Sequence, residues 1–266
     1  MTHTITIDHT RCRKDHACVH VCPRRLIREG SDGFPETVAS MDANCIECGH
    51  CLGVCPHGAL TLNGVAPEEC ASVGRHMPLD LDVADFLVRG RRSVREFKEQ
   101  PIVPDLLDWL LDAARWAPSA GNGQPVHLTV VEGRAKTREL AELVVDWMRS
   151  TGSDYVQDVI AAWDQGLDRV LHDAPHLVIA HATDGGLNPA SDCVIAITTI
   201  ELAAHMRGAG ACWAGFFTRA AATHLPLIEA LALPEGHKVR AALMLGTPRY
   251  RYHRVPPRHE PQVRRL

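Results

Sequence analysis

The chain has 266 residues, 45% of them hydrophobic, enough to bury one large core and leave length for a second, small unit. Its formal net charge of −4 gives no whole-chain reason to expect nucleic acid or a membrane surface as partner. The opening MTHTITIDHT has no basic segment followed by an apolar run, so no signal peptide is expected and the cytoplasm is the expected location.

In chain order, TITI (4–7) and ALTL (59–62) read as two small strands within a stretch poor in periodic structure. Residues 1–65 form the expected first domain, and 66–81, with Pro67 and Pro78, the linker to a second domain at 82–266. There PDLLDWLLDAARWA (104–117) opens on proline and sets Leu107, Leu110, Leu111 and Ala114 on one face, which predicts a helix. VHLTVVE (126–132) predicts a strand, and 134–150 and 154–172 predict helices. APHLVIAHA (174–182) follows as a buried strand, then an apolar helix at 190–207, then a last strand, KVRAALMLG (238–246). The apolar run 189–204 carries Asp192 and Glu201, so it is expected to be a buried helix and not a membrane span. Helices alternating with apolar strands predict a layered α+β or α/β domain.

Ten cysteines are spread unevenly: seven lie between Cys12 and Cys55, and only Cys70, Cys193 and Cys212 lie beyond. With no secretory signal, that density points to metal ligation rather than disulfides. The second run reads Cys45–x2–Cys48–x2–Cys51–x3–Cys55–Pro56, the spacing of bacterial two-cluster ferredoxins, where three cysteines hold one cluster and the fourth ligates the other. Thiolates are soft anionic ligands suited to iron–sulfide cores. Zinc sites also use C-x2-C pairs, but the trailing proline and a related run upstream point away from zinc.

That upstream run is Cys12–x2–Asp15–x2–Cys18–x3–Cys22–Pro23, with aspartate in the second ligand position. By the crossed rule, Cys12, Cys18 and Cys55 hold one cluster, with Asp15 near its fourth iron, and Cys45, Cys48, Cys51 and Cys22 hold the other. A carboxylate is a harder and weaker ligand than a thiolate for this iron. The first cluster is therefore either 4Fe–4S with Asp15 as a labile ligand or 3Fe–4S beside a solvated Asp15. His16, next door, is a ligand with less favourable spacing.

Four ordered segments of the second domain resemble the FMN-dependent nitroreductase family. RRSVREF (91–97) offers Arg91, Arg92, Ser93 and Arg95, and guanidinium forks suit a terminal phosphate. APSAGNGQP (117–125) resembles the loop that contacts the ribityl chain and ring, which assigns Pro118, Ser119, Asn122 and Gln124 to the flavin. GAGACWAGFF (208–217) places Trp213, Ala214 and Gly215 near the ring, mainly through backbone groups. Its G-x-G should lack the preceding strand and following helix of a dinucleotide turn. The tail RYRYHRVPPRHEPQVRRL (249–266) has six arginines and one acidic residue, and Arg258 in PPR is the best candidate to reach the phosphate, ahead of Arg251 and Arg254. A buried structural role is expected for His127, Cys212 and Trp213.

The resemblance implies an N-terminal ferredoxin-like iron–sulfur domain followed by a nitroreductase-like α+β sandwich. It also implies FMN, two iron–sulfur clusters and a homodimer in which Pro118 and Ser119 reach the partner's flavin. The expected activity is an FMN-dependent oxidoreductase passing electrons between clusters, flavin and a small nitroaromatic, quinone or enone acceptor. Its donor is NAD(P)H or a ferredoxin, and no side chain is singled out as acid or base. A non-catalytic iron–sulfur electron carrier or redox sensor is the competing reading.

Overall fold

The computed structural model describes residues 5–73 and 80–266. The chain divides into two compact units, 1–78 and 79–266, a boundary within the expected linker. Thr4 and Pro78 lie outside the described residues.

In the first unit, β1 (Ile5–Ile7) comes first, followed by α1 (Ala17–Val21) and the short hairpin β2 (Ile27–Glu29) and β3 (Pro35–Thr37). Next come α2 (Met41–Asn44), α3 (His50–Val54) and β4 (Leu60–Leu62). β1 pairs antiparallel with β4, Ile5 opposite Leu62 and Ile7 opposite Leu60. The β2–β3 hairpin was not expected, because three residues are too few to display a period.

The unit is visibly duplicated. α1 runs up to Cys22 and α3 up to Cys55. The residues ahead of each helix adopt the same left-handed conformations, Lys14 and His16 at φ 57° each in the first copy, Glu47 at 50° and Gly49 at 70° in the second. Such residues wind the chain tightly enough to curl each cysteine run into a loop. Asp15 and Cys48 occupy the same place in the two copies. The buried centre is small: Cys18, Ile27, Cys51 and Leu60, with Ile5, Ile7, Val19 and Cys55 against it.

In the second unit, α4 (Leu81–Arg89) and α5 (Pro104–Ala113) precede β5 (His127–Glu132), α6 (Arg134–Thr151) and α7 (Gln157–Asp164). Then come β6 (His176–Ala182), α8 (Pro189–Met206), β7 (Gly210–Trp213), α9 (Gly215–Ala220), α10 (Leu225–Leu231) and β8 (Lys238–Gly246). The strands form one antiparallel sheet in the order β5-β6-β8-β7. Every residue of β6 is buried, and its side chains alternate between two cores, as a pleated strand must. Leu177 and Ile179 join α6, α7, α9 and α10 on one face. Val178, Ala180 and Ala182 join α5 and α8 on the other. The result is an α+β sandwich. No helix among the described residues is long and apolar enough to cross a membrane.

Two expectations need correction. The helix expected over 154–172 is a 3-10 turn at Asp154–Val156 followed by α7, which stops at Asp164. Gly166 turns the chain at φ 87°, and the buried Asp168 carboxylate accepts the amides of Val170, Leu171 and Asp173, so 168–173 is a side-chain-capped loop. Strand β7 was not expected, since its four residues begin with glycine. As anticipated, a helix and not a strand precedes the G-x-G. A helix does follow, but only after β7, so the glycines open a strand.

Candidate functional site

The basic segment at 91–97 lies along the free side of β7. Ser93 bridges Ala211 in parallel, and the Val94 amide donates to the Ala211 carbonyl at 2.9 Å. Further on, Phe97 bridges Pro248, the Lys98 amide donates to Thr247 and the Arg249 amide to Glu96. Val94 and Phe97 point into the core while Arg95 stays exposed, which fixes the segment in place and presents its charge. The approach is close: a Cβ on Gly210 would come within 2.9 Å of Val94, and one on Gly246 within 2.6 Å of Phe97.

The candidate flavin residues fall around four cavities. Arg91 and Arg92 line one of about 530 Å³ with Lys98, Arg249 and Arg251. Arg91 and Arg258 share another with Arg89 and Asp85. Arg95, Trp213 and Gly215 line a third, of about 320 Å³. Pro118, Ser119 and Gln124 line a fourth, of about 210 Å³, with Asp192. Within one chain, the 117–125 loop and the arginines are therefore not gathered into a single pocket. The donor set of the first two cavities, arginines and a lysine, fits a phosphate-bearing group.

Local geometry refines several assignments. Arg91 is paired: its Nη1 donates to Glu201 Oε1 at 2.9 Å, and the other oxygen of that buried carboxylate accepts Trp213 Nε1 at 3.1 Å. Ser93 sits by the Cys212 thiol, which burial pushes up in pKa. The backbone of Ala214 is consumed internally, its amide on Ala242 and its carbonyl accepting Thr218, so it has no free amide for a ring. Asn122 and Gln124 have left-handed backbones at φ 55° and 45°. Ser119 Oγ accepts the Gln124 amide and buried Asp192 accepts the Ala120 amide, so the 117–125 loop is pinned from both sides. Arg254 is exposed. His127 is exposed as well, against expectation, because the strand start it occupies is an open corner where its ring packs edge-on to His237.

In the first unit the cysteines assemble in two sets. Burial pushes the Cys51 thiol up to about 11, and Cys48, Cys22 and Cys45 add to the rise. Burial likewise raises Cys18, and Cys55, Asp15 and Cys12 add to the rise. A buried thiol whose ionisation is opposed calls for a cation beside it, which suits clustered iron. The two sets are spread out: among the described residues no three such side chains converge tightly enough for a single metal ion. The last cysteine of each run accepts the same bond, Leu26 amide to Cys22 Sγ at 3.3 Å and Ala59 amide to Cys55 Sγ at 3.4 Å. Asp15 is already engaged: Oδ1 accepts the Ala17 amide at 3.0 Å, and Oδ2 lies 3.5 Å from His57 Nε2. His16 is turned to the Gly33 carbonyl at 2.9 Å.

Residues 88–247 match the model of the nitroreductase family, and residues 10–60 match that of the 4Fe-4S dicluster domain. The chain belongs to the nitroreductase family. Among solved nitroreductases, the one with bound FMN from Bacteroides fragilis NCTC 9343 superimposes with a TM-score of 0.54, at 25% identity over 69% of this chain and 95% of that one. An NADH dehydrogenase/NAD(P)H nitroreductase of Methanothermobacter thermautotrophicus is 30% identical over 130 residues, 49% of this chain and 59% of that protein. The chain thus spans less than two thirds of that relative's length. The first unit is 40% identical over 62 residues to a ferredoxin 7Fe of Hydrogenibacillus schlegelii, 22% of this chain and 70% of that protein.

Sequence reasoning passed over Glu201 and Asp192, although both stood out as charges inside an apolar helix. That was the usable signal: a carboxylate on a buried helix face needs a donor, and here the donors are candidate site segments. Asp168, His172, Arg169 and Arg219 carried no comparable mark.

Proposed function

We propose that this nitroreductase is an FMN-dependent oxidoreductase whose N-terminal iron–sulfur clusters exchange electrons with the flavin, and that a small organic acceptor of the nitroaromatic, quinone or enone class is reduced. The observation that carries the reading is the basic strip 91–97 docked on β7, with Arg91 and Arg258 facing one cavity and Arg95, Trp213 and Gly215 another. FMN held there would accept electrons singly or in pairs, joining one-electron clusters to two-electron acceptors.

In this reading Arg92 and Arg258 supply the phosphate with charge, while Arg91, already paired with Glu201, fixes the geometry. Arg95 sets a cation beside Trp213 and Gly215, where negative charge on a reduced ring would be stabilised. Pro118, Ser119, Asn122 and Gln124 serve the flavin of a second copy in a homodimer, which accounts for their distance from the arginines within one chain. NAD(P)H or a ferredoxin is the donor.

For the clusters, we infer a 4Fe–4S centre on Cys22, Cys45, Cys48 and Cys51, and a 3Fe–4S centre on Cys12, Cys18 and Cys55. The engagement of Asp15 with Ala17 and His57 favours the three-iron form, and three plus four irons agree with the 7Fe description of the ferredoxin relative. Asp15→Cys should then raise iron from seven to eight per chain and abolish the EPR signal of an oxidised three-iron cluster; unchanged iron and EPR sink this assignment.

An anaerobic visible spectrum tests the main reading. A flavin band over broad iron–sulfur absorbance is expected, bleached by NADH or NADPH if nicotinamide is the donor and by a reduced ferredoxin if the clusters are the entry. Clusters without flavin would leave an electron carrier.

A further inference from the structure

Three histidines meet at one end of the second unit's sheet. His127 opens β5 and stands opposite His181 in the antiparallel register, and His237 precedes β8, whose Lys238 pairs with Ala182. His181 is 2% exposed, His237 is half-buried and His127 is exposed, so the cluster runs from the interior to solvent. The ring centroids form a triangle with sides of 4.7, 5.0 and 5.8 Å, and the Nδ1 atoms of His181 and His237 lie 2.8 Å apart. None of the three lines any of the four cavities around the candidate flavin residues.

The size of this triangle is that of three imidazoles around one tetrahedral ion. With nitrogens about 2.1 Å from zinc, ring centroids stand about 5 Å apart and neighbouring nitrogens about 3.3 Å apart. The rings have that spacing but do not converge on one centre as they stand. Opening the Nδ1 pair by about half an ångström and turning the exposed His127 ring inward completes the set. Thr129 supports the tautomer required. Its Oγ1 is 2.9 Å from His181 Nε2, and a hydroxyl accepting that N–H leaves Nδ1 with a lone pair. The Nδ1–Nδ1 bond then uses the hydrogen of His237, which moves to Nε2 when an ion takes its place. Burial, foremost, and then His237 and His127 hold the His181 pKa below its ordinary value, so the ring is neutral near pH 7. The charges on the adjoining segments are occupied with one another, Lys238 and Arg240 both binding the Asp184 carboxylate.

We propose that His127, His181 and His237 form a site for a divalent transition-metal ion, zinc foremost, with the fourth position left to water. Neutral imidazole suits zinc, nickel and copper, whereas magnesium and calcium call for oxygen ligands that this set lacks. The ion fastens the starts of β5 and β8 to the end of β6. It is separate from the iron of the first unit and from the flavin.

The test is anaerobic equilibrium dialysis of the full chain, loaded with iron and flavin, against zinc chloride, with zinc, iron and flavin measured on the retained protein. One zinc per chain is expected at pH 7.5, with iron and flavin unchanged, and millimolar magnesium should not displace it. His127→Gln and His237→Gln, both at accessible positions, should each weaken zinc binding at least tenfold, and the double variant should take up none. Zinc should also raise the urea midpoint of the second unit in the native chain and leave that of the double variant unmoved. No zinc uptake overturns the proposal. So does uptake that the double variant keeps, or uptake accompanied by loss of iron, either of which would place the zinc on other side chains such as the cysteines.

Discussion

The two units are held together by different physics. The first has strands of three residues and a buried centre in which Cys18 and Cys51 stand beside Ile27 and Leu60. A unit this small buries too little apolar surface to fold securely alone, and the usual remedy is a metal. The second has a four-stranded sheet with a core on each face, filled by fully buried Leu110, Met148, Leu177, Ile197 and Leu243. Chemistry and architecture would coincide in the first unit, since the proposed ligands Cys18 and Cys51 are part of the core. In the second they would be separate, with the proposed site at the edge of a sheet whose interior is ordinary packing.

That contrast can be broken at its strongest point by removing iron. Chelation under reducing conditions, or Cys51→Ser, should unfold the first unit outright while the second stays folded; limited proteolysis should destroy residues 5–73 and leave a resistant fragment from about residue 80. Survival of both units without iron would refute the contrast. Next in size is Leu177→Ala at the fully buried centre of β6. It should lower second-unit stability by about 2–5 kcal/mol in urea denaturation while the cluster spectrum is unchanged. Asp168→Ala strips a buried acceptor from three loop amides and should cost about 1–3 kcal/mol, with faster proteolysis near residue 170.

The smallest effect expected is with pH. His176 Nε2 accepts the Ile102 amide at 3.0 Å, a role open only to the neutral ring, and burial holds its pKa below the ordinary 6.5. His172 and His181 are shifted the same way, chiefly by burial, with His237 and His127 adding to it at His181. The unfolded chain therefore takes up protons first as pH falls through 6.5, and stability that is complete above that value declines below it. Urea midpoints at pH 7.5 and 5.5 should show the loss in the second unit, and His176→Gln should flatten the dependence.

Legibility followed the same division. Cysteine spacing is a one-dimensional code, so the sequence exposed the 4Fe-4S dicluster domain and its duplication while hiding the β2–β3 hairpin, whose strands are too short for any period. In the second unit the long periodic elements, α5, α6, α8, β6 and β8, were readable because each presents a continuous apolar face. Strand β7 and the loop 165–173 were not, since glycine starts the one and a single buried carboxylate organises the other. The four segments proposed for the flavin could be ordered along the chain, but their separation into different cavities depends on which side of the sheet each reaches. The pairing of Arg91 with Glu201, across 110 positions, is likewise a product of tertiary packing.

The docking of residues 93–97 on β7 has a consequence for solubility. A sheet edge displays unpaired amides and carbonyls that recruit strands from other molecules. Here Ser93 and Val94 occupy that edge at Ala211, and Phe97 seals it beside Pro248. The strip that presents the arginines is thus also a guard against edge-to-edge aggregation. Versions of the chain trimmed past residue 97 would precipitate before their loss of cofactor could be measured, so the strip's arginines are better probed one at a time, with the backbone left in place.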